Sequence, residues 1–212
     1  AVVLAAIERF FGVFDARSVY EGELYRRVLQ MEQMLTTGGG WQDQIGGVAG
    51  GIKYAVSSSG MRPELDVYQL DPWLFEAPDV VDRYTLFYTG ATRLAKNILQ
   101  EVVDGYNSMD PAYIFTIRRI RALADEARDA FSRRDIDRLA GVIRASWSEN
   151  KLVHPSTTND EIEAMISAPG VKENTQAMKL LGAGGGGYAL FVSKTNDSAM
   201  RLRDGLSNWA AS

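Results

Sequence analysis

Leu180-Leu181-Gly182-Ala183-Gly184-Gly185-Gly186-Gly187-Tyr188-Ala189-Leu190-Phe191-Val192 is a glycine loop running directly into an apolar segment that reads as a strand. That order excludes two familiar phosphate-binding architectures. The phosphate loop GxxxxGK[ST] requires a lysine after its last glycine, and none follows here; GxGxxG opens a helix, not a strand. The run is compatible with an anion-holding nest, in which successive amides point into one concavity, and equally with a structural turn.

Working outward from that loop, Lys172 to Leu181 is expected to be helical, Tyr188 to Ser193 a strand, and Asp197 to Trp209 a helix with Leu202, Leu206 and Trp209 inward. Upstream, Ile136, Leu139, Ile143 and Trp147 share one helix face, and Thr158-x-x-Glu161 offers a capping box for the next helix. Asp110-Pro111 is a helix start, and Tyr84 to Tyr88 is a short strand followed by a helix carrying Leu94, Ile98, Leu99 and Val102. Strands and helices do not alternate as regular βαβ units, so the expected class is α+β.

Earlier still, Asp71-Pro72 and Ala77-Pro78 punctuate the chain and place a domain boundary near Ala77. Gly51 to Val56 and Asp66 to Leu70 read as paired strands. Leu24, Val28, Met31 and Leu35 mark an amphipathic helix, with Ser18-x-x-Glu21 as a capping box ahead of it. The opening Ala1-Val2-Val3-Leu4-Ala5-Ala6-Ile7 reads as a helix buried on most of its surface, and the chain is expected to begin inside an element.

Composition narrows the function classes. The 212 residues carry 23 Lys and Arg against 27 Asp and Glu, a net charge of −4, which speaks against a nucleic-acid partner. No apolar run approaches the roughly 20 residues of a membrane helix, so neither membrane nor nucleic acid is an expected partner. Zero Cys excludes thiol nucleophiles and thiolate metal sites and fits a cytoplasmic protein, and a single His excludes His-rich zinc sites.

A second glycine cluster, Thr36-Thr37-Gly38-Gly39-Gly40-Trp41-Gln42-Asp43-Gln44-Ile45-Gly46-Gly47, surrounds one carboxylate with an aromatic and two amides. Asp43 there accepts a proton from a hydroxyl while Trp41 packs on an apolar sugar face, or else Asp43 is a cap and Trp41 a core residue. Thr89-Gly90-Ala91-Thr92-Arg93-Leu94-Ala95-Lys96 puts hydroxyls and cations at a helix start, as an anion site or as caps with a solvated face. His154, beside Pro155 in a polar loop, reads as a surface residue. Arg118, Arg119 and Arg121 with Asp125 and Glu126 form one charged helix face.

The order of these segments resembles the GHMP family of small-molecule kinases. A helix containing Glu32 leads to a glycine-rich turn with Gln42-Asp43-Gln44, similar to the segment that carries the family's catalytic aspartate. Leu181 to Gly187 followed by Tyr188 to Val192 is similar to its third motif. Thr36 to Gln44, Tyr88 to Leu99 and Ser146-Trp147-Ser148-Glu149-Asn150-Lys151 look most like L-fucokinases, with heptose 7-phosphate kinases as the runner-up.

The resemblance implies a remnant of the N-terminal kinase domain over residues 1–77, helices plus a β-hairpin, and a C-terminal ferredoxin-like α+β domain with extra helices over 78–212. It implies transfer of the ATP γ-phosphoryl, with Mg²⁺, to a sugar hydroxyl, in fucokinases the anomeric one. Asp43 is then catalytic. Trp41, Gln42, Gly39, Gly40 and Arg93 border the sugar or a phosphate, and Gly182, Ala183, Gly184, Gly185 and Gly186 line the nucleotide side. The family's Gly/Ser-rich second motif does not stand in the sequence. Ala1 to Phe11 would be the helix it precedes, leaving a fragment inactive by itself, a non-catalytic sugar- or partner-binding module as the alternative, and an uncovered face for homodimerisation.

Overall fold

The computed structural model describes residues 21–34, 40–60, 63–90, 95–182 and 184–211. The expected opening helix, the Ser18 box, Gly39, Arg93 and Ala183 lie outside them. The chain divides into two compact units, Ala1–Asp71 and Pro72–Ser212.

In the first unit, α1 (Glu21–Met34) buries the adjacent Leu24 and Tyr25 and, one helical turn further on, Val28, which together form its apolar stripe. It contacts α2 (Gln42–Val48), which buries Gln44 and Ile45. The glycine-rich turn expected at Gln42 is therefore a short helix, formed despite Gly46 and Gly47, each of which costs a helix about 1 kcal/mol. Ile45 is 5% exposed, and burying its side chain offsets that cost. Strands β1 (Ile52–Ser57) and β2 (Leu65–Leu70) pair antiparallel, Tyr54 opposite Tyr68, with their rings 6.1 Å apart. Mutual bonds between Ser58 and Glu64 close the connection, from Ser58 N–H to Glu64 O at 2.9 Å and from Glu64 N–H to Ser58 Oγ at 2.8 Å.

The second unit opens with two short helices, α3 (Trp73–Glu76) and α4 (Pro78–Val81). Trp73 ties them in: its Nε1 donates to Phe131 O at 3.0 Å and its ring lies 5.3 Å from that of Phe131. Then come β3 (Tyr84–Tyr88), α5 (Ala95–Asn107), α6 (Pro111–Ser132), α7 (Ile136–Val153), a 3₁₀ turn (Pro155–Thr157), α8 (Asp160–Ser167), β4 (Ala177–Leu180), β5 (Tyr188–Val192) and α9 (Asn196–Ala210). Asp110 caps α6 by accepting from Ala112 and Tyr113 N–H at 2.7 and 3.2 Å, which the Asp-Pro pair predicts.

The sheet order is β3-β5-β4, with both neighbours antiparallel to β5. β3 and β4 thus run parallel with β5 inserted between them, the split β-α-β of a ferredoxin-like sheet, and α5 to α8 are the extra helices of its crossover. One sheet face presents Met178, Leu180, Ala189 and Phe191 to Ile162 and Met165 of α8 and Leu202 and Leu206 of α9, with Trp147 in the same cluster and Phe87 and Trp209 packed against it. On the other face, Ala177 and Val192, with Tyr84 beside them, meet Ala140, Ile136 and Ile143 of α7. The mixed helix-and-sheet class is the α+β expected.

Three local expectations are corrected. Residues 172–181 are not a helix: Lys172 to Asn174 turn, and β4 follows because alternate side chains of Ala177 to Leu180 are buried on opposite faces of the sheet, a period a helix cannot supply. The cap of α8 is Asn159, whose side chain accepts from Ile162 N–H at 2.9 Å, while Thr158 Oγ1 donates to Glu163 at 2.8 Å. His154 is buried, not a surface residue.

Candidate active site

Trp41 precedes α2 and is half-buried; Gln42 and Asp43 are exposed in its first turn. A carboxylate there is favoured by the unsatisfied amides and the positive end of the helix dipole. The next residue, Gln44, is buried, so the periodicity of the short helix sends the Asp43 side chain outward. Gly40 is exposed, with no atom within 4 Å of the place a Cβ would occupy. Trp41 also lines a groove of about 860 Å³ with Glu23, Arg26, Arg27, Gln30 and Glu64, which does not include Asp43. Glu23 joins both arginines there, at 3.3 Å to Arg26 and 3.1 Å to Arg27.

The glycine loop belongs to the second unit. All its described glycines have positive φ, from 76° at Gly185 to 156° at Gly186, which glycine alone adopts without strain. One side of the loop is pinned. Gly185 N–H donates to Thr157 O at 2.8 Å, and a Cβ on Gly184 would stand 2.7 Å from that same oxygen. Gly187 O accepts from both the N–H and the Oγ1 of Thr89, at 2.9 and 3.0 Å. Gly182 and Gly187 face open space on the side where a Cβ would project.

Sequence reasoning found the loop but missed what holds it. The anchors Thr157 and Asn159 follow a histidine at a helix end, and a His-Pro-Ser-Thr run is a turn signal that, set beside the glycines, points to them. The Ser146 to Lys151 string also acquires a structural role. With the Asn150 amide oxygen turned towards Lys179 (2.8 Å) and its nitrogen towards Ser146 O (3.2 Å), the lysine amine donates to Ser146 Oγ (3.0 Å) and to Asn150. Burial pushes the Lys179 amine below its ordinary range. Among the described residues no cluster of three or more His, Cys, Asp or Glu is placed to hold a metal ion, and no helix is long and apolar enough to cross a membrane.

Comparison with known proteins gives these features a family. No family model matches the chain. It is 36% identical over 203 residues, 96% of its length, to the L-fucokinase/L-fucose-1-P guanylyltransferase of Bacteroides fragilis, of which it spans 21%. It is 28% identical over 72% of its length to the D-glycero-alpha-D-manno-heptose 7-phosphate kinase of Campylobacter jejuni, of which it spans 44%. The chain therefore spans about a fifth and less than half of these relatives' lengths. Among solved structures, a putative sugar kinase from Campylobacter jejuni superposes with a TM-score of 0.64 over 97% of this chain and 56% of its own, at 20% identity, which establishes the shared fold. With 36% identity to a fucokinase along 96% of its length and the fold of a solved sugar kinase, the chain is homologous to a segment of the GHMP sugar kinases.

Proposed function

We propose that this chain serves a cytoplasmic, ATP-dependent sugar kinase whose acceptor is the anomeric hydroxyl of L-fucose. The observation that carries the reading is the 36% identity to a fucokinase over 96% of the chain, against 28% over 72% for the heptose phosphate kinase. Residues 1–77 are read as the rear of the N-terminal kinase domain and 78–212 as the C-terminal one.

ATP, with Mg²⁺ screening its phosphates, supplies the γ-phosphoryl group. The described loop fits one wall of a nucleotide site: its pinned side is spent on Thr157, while Gly182 and Gly187 leave backbone open to close approach. Gly184, Gly185 and Gly186 hold the loop's shape between them, and Ala183 joins them through the resemblance alone. Asp43, exposed on α2, orients the sugar hydroxyl and takes its proton as the oxygen attacks, a role open to a carboxylate that accepts hydrogen bonds at neutral pH. Trp41 packs on an apolar sugar face, and Gln42 with Gly40 borders the hydroxyls. Gly39 and Arg93 enter through the family resemblance only.

The test is ATP-dependent phosphorylation of L-fucose against heptose 7-phosphate by the intact protein. Preference for fucose, with Asp43→Asn lowering kcat on the order of 10²–10⁴-fold, is the expected outcome. Near-parental turnover by Asp43→Asn removes the role assigned to the carboxylate.

A further inference from the structure

A line of contacts leads from one imidazole to the glycine loop. His154, just past the end of α7, is only 8% exposed and has two partners. Its Nδ1 accepts from Ser156 N–H at 3.1 Å, and its Nε2 meets the carboxylate of Glu101 on α5. Because Nδ1 is occupied as an acceptor, the neutral ring carries its proton on Nε2 and donates it to Glu101.

The ring thereby caps the Pro155–Thr157 turn. Thr157 is fixed at both ends: its Oγ1 donates to Asn150 O at 3.0 Å, and its carbonyl receives the Gly185 N–H at 2.8 Å. Asn159 Nδ2 donates to Gly185 O at 3.3 Å, so the loop has a second support two residues further on. Gly184 sits so near Thr157 that any displacement of the turn must move the loop or open a gap beneath it.

We propose that His154 is a positioning residue, which through the Pro155–Thr157 turn sets the place of the 182–187 loop and with it the binding of nucleotide. The nucleotide half of this statement rests on the function proposed above; the coupling of ring to loop stands without it. The division of labour between the ring nitrogens makes the claim specific. Asparagine places an amide oxygen where Nδ1 stands and caps the turn in the same way, whereas alanine offers no acceptor.

The experiment joins two readouts on the intact protein: hydrogen exchange across 182–187, and steady-state kinetics with Mg·ATP and L-fucose varied separately. Losing one hydrogen bond to a buried turn predicts that His154→Ala raises loop exchange and the KM for ATP about three- to tenfold, while kcat and the fucose KM stay within about twofold. His154→Asn restores both. Unchanged exchange in a folded His154→Ala, or failure of His154→Asn to restore it, overturns the proposal. Faster exchange with an unchanged ATP KM keeps the coupling and overturns the nucleotide assignment of the loop. Should His154→Ala not fold, Glu101→Ala, which removes a side chain that is 59% exposed, decides instead: exchange over 182–187 must rise, and no change overturns the coupling.

Discussion

Arg83 shows how one side chain ties several elements together. Its backbone carbonyl accepts from Ser193 N–H at 2.9 Å, and its guanidinium donates to Ser193 O (2.8 Å), Asp137 (2.9 Å) and Gln176 (2.9 Å). The group is nearly buried, so removing it leaves Ser193 O and the Gln176 amide short of a donor. Arg83→Ala is expected to cost about 2–4 kcal/mol, read from denaturant unfolding. Two loop glycines make a matched comparison. Gly182 (φ 92°) has open space around it and Gly184 (φ 94°) has Thr157 against it, so the backbone strain is alike and only the second adds a collision. Gly182→Ala is expected to cost about 1–2 kcal/mol and Gly184→Ala about 2–4 kcal/mol, again by unfolding.

Among the elements, α7 carries a pH-sensitive contact at its start. Hydrogen bonds from Gln176 and then Arg83 hold the Asp137 carboxyl below its ordinary range. A depressed pKa in the folded state means stability that is present above the unfolded value and lost as pH falls through the folded one. The stability difference between the parent and Asp137→Asn should therefore be constant near neutrality and shrink below about pH 4, and it should be modest because the side chain is 71% exposed. Legibility in the sequence followed the same physics. Strand β3 and the cap of α6 were readable because a β-rich run and an Asp-Pro pair each have one local solution. β4 was not, since Gln176-Ala177-Met178-Lys179-Leu180 favours helix locally and becomes a strand only by pairing with β5, a partner that local propensity does not reveal. Likewise α2 forms in a segment whose glycines argue for a turn, because Gln44 and Ile45 are buried on one side of it.

For the whole molecule, what the sequence disclosed was the class of fold and the glycine loop; what it hid were the supports beneath that loop, because His154, Thr157 and Asn159 take their meaning from contacts with residues 26 to 53 positions away. The two compact units also bear on the proposed domain division. Trp73 is anchored on Phe131, and the sheet, its core and the α6–α7 pair all lie between Pro72 and Ser212. Residues 72–212 expressed alone are accordingly expected to give a dispersed amide spectrum and a cooperative melt; a spectrum collapsed to random-coil shifts would show that this core is not self-sufficient.

The left-handed backbone of the glycine loop has a consequence for its history. Every single-base change in a glycine codon that alters the amino acid introduces a Cβ, and every described glycine of this segment stands where a Cβ is strained. Each step of drift at one of these glycines therefore carries a backbone-strain cost. Descendants of this gene should keep the glycines as a block or exchange the whole turn together with the Pro155–Thr157 platform that carries it.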